Sequence, residues 1–109
     1  MSKQLAFSHN GVDYTLEFTR ASVKTMESRG FILSEVSEKP ISLLPELFAG
    51  AFIAHHRFVK REIIDEIFSK MTGKVELVSK LVEMYQETSA SLLEEPEESS
   101  GNLNWTASW

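Results

Sequence analysis

The stretch Leu5-Ala6-Phe7-Ser8-His9-Asn10-Gly11-Val12-Asp13-Tyr14-Thr15-Leu16-Glu17-Phe18 decides the fold class. Leu5 and Phe7 alternate with polar neighbours, as do Val12, Tyr14, Leu16 and Phe18, which is the period-2 pattern of a strand with one buried face. Asn10-Gly11 lies between the two runs. That dipeptide best tolerates the positive φ angles of a tight hairpin turn. A two-stranded ribbon is marginal by itself, so its apolar face must rest on helices or on another chain.

Beyond the hairpin the pattern turns helical. Thr19 suits the N-cap of a helix over about residues 20–29, with Val23 and Met26 inside and Gly30 at the left-handed C′ position. Phe31, Ile32 and Leu33 lead into a polar connector, 34–39, that could hold a helical turn. Either Pro40 opens the next helix or Pro45 sits in its first turn. From Ile41 to His56 the spacing predicts one central helix. Leu44, Leu47, Phe48, Ala51 and Phe52 follow the i, i+3, i+4 rhythm, and further apolar residues spill onto other faces. A third helix is expected over about 60–71, with Ile63, Ile64, Ile67, Phe68 and Met71 on one stripe. Thr72-Gly73 breaks it, and a fourth follows over 74–93 with Val75, Val78, Leu81, Val82 and Tyr85. Pro96 and the Glu, Ser and Gly residues around it read as a disordered acidic tail. The expectation is therefore a single α+β domain over 1–93, an N-terminal hairpin packed on about four helices, followed by a flexible tail over 94–109.

Composition narrows the chemistry. The chain of 109 residues has room for one core, and its apolar fraction of 42% is ordinary for a globular domain. It has no cysteine, which excludes disulfides and thiolate chemistry and suits a reducing compartment. The first residues lack the basic and apolar pattern of a signal peptide, and the apolar stretch from Leu43 to Ala54 is too short to cross a bilayer. A cytoplasmic protein with no membrane partner is expected. Net charge is −5, and setting aside Glu94, Glu95, Glu97 and Glu98 leaves residues 1–93 at −1. Such a body offers no general field to attract phosphate backbones.

The motifs carry little catalytic content. His55-His56 invites a metal or acid–base reading, but neighbours on a helix point about 100° apart and no HExxH-type pattern surrounds them. A pair at a helix end, touching the last carbonyls, is the simpler reading. The five glycines are too scattered to cradle phosphate. The helix, Thr72-Gly73, helix order resembles a helix-turn-helix, yet the second helix is net acidic and has no arginine to read bases. No enzyme, cofactor, metal or nucleic acid is expected.

Two features point to protein partners. In Phe48-Ala49-Gly50-Ala51-Phe52, small residues separate two aromatics, and a helical Gly, costing about 1 kcal/mol against Ala, hints at close backbone approach. The competing reading is packing against the domain's own hairpin. At the C-terminus, Trp105 and Trp109 stand in a polar setting, although Trp is enriched at binding hot spots. They could dock on a partner or fold back on the domain. The candidate partner-binding set is therefore Leu47, Phe48, Ala51, Phe52, Trp105 and Trp109.

The order of segments resembles the small tail assembly chaperones encoded by siphophages and prophages of Gram-positive bacteria. The matching pieces are Asn10-Gly11-Val12-Asp13-Tyr14 with Leu16 and Phe18, Met26-Glu27 with Gly30-Phe31, and Glu38-Lys39-Pro40. Further along they are Leu47 through Phe52 with His55, Leu81 through Tyr85, and the acidic tail with Trp105. The resemblance implies a host-cytoplasmic protein that holds the tape measure protein, recruits tail tube protein, and is absent from the mature virion. It supplies no catalytic residues. Repeated binding along an extended client would also suit self-association. The rival expectations are a structural tail or neck protein and a small DNA-binding regulator.

Overall fold

The computed structural model describes residues 3–93 and 106–109. Strands β1 (Leu5–His9) and β2 (Val12–Leu16) form an antiparallel hairpin in which Leu5 faces Leu16, Phe7 faces Tyr14 and His9 faces Val12. Asn10 and Gly11 both take positive φ, 51° and 78°, as a two-residue hairpin turn requires. The register puts Leu5, Phe7, Tyr14 and Leu16 on one face, and the paired rings of Phe7 and Tyr14 stack with centroids 5.3 Å apart.

Helix α1 (Arg20–Ser28) opens on a reciprocal cap: the Thr19 side chain accepts from the Ser22 N–H, and the Ser22 hydroxyl accepts from the Thr19 N–H. Gly30, at φ 90°, turns the chain after it. A 3₁₀ turn at Leu33–Glu35 occupies the connector. Helix α2 (Pro40–Gly50) begins with Pro40 in its first turn and runs through Pro45, so the rung to the Ile41 carbonyl is missing.

The expected single helix over 41–56 is broken. Glu17 at the end of the hairpin donates its backbone N–H to the Ala51 carbonyl at 3.1 Å, the acceptor that the His55 N–H would use in a continuous helix. Phe52 bonds back to Ala49 in a tightened turn, and the chain restarts as the short helix α3 (Ile53–His56). The hairpin thus ends the central helix.

Helix α4 (Arg61–Lys70) buries Ile64 and Ile67, Gly73 turns in the left-handed region at φ 60°, and α5 (Lys74–Ala90) follows. Val75, expected on the inner stripe of α5, is exposed instead. The buried side chains of α5 start at Leu81, because its C-terminal half packs on α1 and α2 and its first turn projects past them. A 3₁₀ turn, Ser91–Leu93, ends the helix. The architecture is the expected α+β one, a hairpin on four helices of nine residues or more with α3 inserted. Of the tail, 94–105 lies outside the described residues, while 106–109 is exposed and has no regular structure.

The core sits between the hairpin, α2 and α5. Leu16, Phe18, Leu47, Phe48, Phe52 and Leu81 are its most deeply buried large side chains. Each contributes about 1.5–3 kcal/mol by leaving water. Phe52 is the hub, with its ring edge-on to Tyr14 at 5.7 Å and to Phe48 at 5.2 Å.

Candidate functional site

Leu47, Phe48, Ala51 and Phe52 follow one stripe of α2 and its terminal turn, and the fold turns that stripe inward. Their exposures are 0, 0, 0 and 1%. As placed they offer no surface, and contact with a partner would require the core to open. The same holds for the close approach suggested by Gly50. A Cβ at that position would lie 2.3 Å from the Sδ and Cε of Met26, so the missing side chain makes room for α1 of the same domain. Trp109 is fully exposed, and Trp105 lies outside the described residues.

The two histidines do not cap the end of a helix; both reach across to the hairpin. His56 Nε2 accepts the Thr15 backbone N–H at 2.9 Å, which requires that nitrogen to be unprotonated. His55 Nε2 lies 2.6 Å from Glu17 Oε1, which also accepts from the Gln4 side-chain amide at 3.0 Å. The Glu17 carboxylate is buried and held by polar groups, as burial of a charge demands. Together these bonds pin α3 onto β2. The ring centroids of His55 and His56 are 6.3 Å apart, and each ring is committed to a different partner. Among the described residues no group of three or more His, Asp or Glu could hold a metal.

The surface carries what the buried stripe does not. Ile41 in the first turn of α2, Phe58 between α3 and α4, and Val75 in the first turn of α5 are 91, 92 and 89% exposed. Leu92 joins them beyond α5. Ile41 and Val75 stand in the first turns of their helices, short of the buried side chains. Phe58 sits among Arg57, Val59 and Lys60 with no helical stripe to join. That placement, an aromatic in a basic inter-helix connection, was the available signal for it. Ile41 carried no such signal: three residues before Leu44 and seven before Phe48, it lies on the same helical line, and only its place in the first turn of α2 leaves it uncovered.

A cleft of about 610 Å³ opens between the C-terminal end of α1, the helices α2 and α3, and the start of α4. Half-buried Leu43, Ile53 and Val59 contribute apolar lining. Arg29, Arg57 and Arg61 also line it, three of the four arginines in the chain. Arg61 is engaged by Glu46 at 3.0 Å and Asp65 at 2.9 Å, and these carboxylates raise its pKa against the opposing effect of burial. Among the described residues Arg29 and Arg57 make no ion pair. The arrangement is an apolar trough with two available guanidinium groups, suited to gripping a polypeptide that carries carboxylates.

A family model described as "Domain of unknown function (DUF5055)" matches residues 1–109. No curated protein and no solved structure matches the chain.

Proposed function

We propose that this chain, which belongs to the DUF5055 family, is a non-enzymatic assembly chaperone that binds an apolar polypeptide client. The client is the tape measure protein of a phage tail, and the chaperone helps gather tail tube protein around it in the host cytoplasm. The order of segments that resembles the tail assembly chaperones supplies the biological setting. One observation carries the physical part: Ile41, Phe58 and Val75 are about nine-tenths exposed, although the core is filled by other side chains. Large apolar groups held in water lower the free energy when a partner covers them, by about 1.5–3 kcal/mol each when fully buried.

The proposal separates a chaperone from a structural subunit by its fate. Quantitative mass spectrometry of finished particles should find tape measure and tube proteins without this chain, while tail assembly intermediates should contain it. Recovery at fixed copy number in finished particles would make it a structural tail or neck component and overturn the reading.

A further inference from the structure

We propose that the arginine-lined cleft receives the acidic C-terminal tail of its own chain, with glutamates of the tail on Arg29 and Arg57 and the indole of Trp105 against the apolar lining. This goes beyond client binding and does not depend on the identity of any client. The two parts are complementary in charge and in apolar character. Leu43, Ile53 and Val59 are half-buried on the cleft wall. Arg29 and Arg57 are exposed there and make no ion pair among the described residues. The tail, 94–109, holds Glu94, Glu95, Glu97 and Glu98, no Lys or Arg, and both tryptophans of the chain. Guanidinium groups pair with carboxylates in forked, charge-assisted bonds, and they stack on indole faces. Trp and Arg are also the residues most enriched where binding energy concentrates.

Length and starting point favour the chain's own tail. The turn before it ends at Leu93. Arg20, at the N-terminal end of α1, donates to Ser91, which sets that starting point beside the same end of α1. Arg29 follows the opposite end of α1, about 13 Å away along a nine-residue helix. Extended chain advances about 3.3 Å per residue, so Glu97 and Glu98, four and five positions past Leu93, can span that distance. Trp105, twelve positions past Leu93, has up to about 40 Å of chain, some three times the separation. Trp109 is fully exposed and stays outside the contact. A tethered segment meets its site at an effective concentration on the mM scale, which a second copy at μM concentration does not match. An acidic segment of a partner therefore enters the cleft only by displacing the tail.

The test is the fluorescence of the full chain carrying Trp109→Phe, which leaves Trp105 as its one indole. Docked in the cleft, Trp105 should emit at shorter wavelength and be quenched less by acrylamide than in a free peptide of residues 94–109 with the same substitution. Adding Arg29→Glu with Arg57→Glu should lower the ratio of docked to free tail about 30-fold, the scale of one hot spot, and bring both readings to those of the peptide. Arg29→Gln with Arg57→Gln should act in the same direction and more weakly. Both arginines are exposed, and far-UV circular dichroism checks that each variant stays folded. The readings should be constant from about 1 to about 100 μM protein, below the effective concentration of a tethered site. Three results would each overturn the proposal: Trp105 readings equal to the peptide's in the parent, readings that the arginine variants leave unchanged, or a blue shift that appears only as the protein is concentrated, the signature of a second copy's tail.

Discussion

Replacing Gly50 by Ala gives a stability change whose sign depends on one neighbour. The new Cβ would lie 2.3 Å from Met26 Sδ and Cε and 3.1 Å from its Cγ. Carbon contacts are comfortable at about 3.5–4 Å, so the thioether must move by more than 1 Å. Met26 is buried, and overpacking of this kind costs about 1–3 kcal/mol. Against it stands the gain of replacing Gly by Ala in a helix, up to about 1 kcal/mol and smaller at the last position of α2. The expected net effect is a loss of about 1 kcal/mol. Met26→Ala alone should cost about 2–5 kcal/mol as a buried truncation. In that background the Cβ at position 50 meets no thioether, and Gly50→Ala should become neutral or stabilising. Urea unfolding of the four proteins, followed by far-UV circular dichroism, gives a coupling of about 1–3 kcal/mol. The reasoning is refuted if Gly50→Ala stabilises the parent, or shifts both backgrounds equally.

Three further outcomes follow from the packing. Phe52→Ala should cost about 3–5 kcal/mol, a large part of a small domain's stability; a thermal melt close to that of wild type would mean that Phe52 is no hub of the core. His56→Ala should cost about 1–3 kcal/mol, because the half-buried Thr15 N–H loses its acceptor and α3 loses a tie to β2; denaturant titration measures it. Burial, and then the charge of Glu27, raises the pKa of the Tyr85 phenol above 10.0. A raised value in the folded state means a contribution that is intact below the ordinary phenol range and lost as pH rises through the folded value. Tyr85→Phe keeps the rings packed on Phe18 and Phe31 and should lose less stability than wild type above pH ~10; equal alkaline losses in urea titrations would contradict the assignment.

The features legible in the sequence were those with local causes. Asn10-Gly11, Thr19, Gly30 and Gly73 each mark a backbone requirement that the residue itself meets, and each turn, cap or break stands where expected. The break at Ala51 was hidden because its cause is a backbone donor on Glu17, 34 positions earlier and carrying no side-chain signal. The histidines were misjudged for the same reason: their partners are on a strand far away in sequence. The apolar stripe of α2 was legible as a stripe, but periodicity does not say whether the covering partner is the domain itself or another chain. Burial of Leu47, Phe48, Ala51 and Phe52 places them inside and directs attention to Ile41, Phe58 and Val75. The arginine cleft joins Arg29 to the stretch that holds Arg57 and Arg61, and only the fold brings those two parts of the chain together.

The central claim is that exposed apolar side chains hold a polypeptide client in solution. It is tested most directly by co-expressing the tape measure protein with wild type or with a triple variant, Ile41→Ser, Phe58→Ser and Val75→Ser, and measuring the soluble fraction of the client. Wild type should keep the client soluble and co-purify with it, while the triple variant, folded by circular dichroism, should do neither. A client equally soluble with wild type, with the triple variant and with no partner would contradict the account.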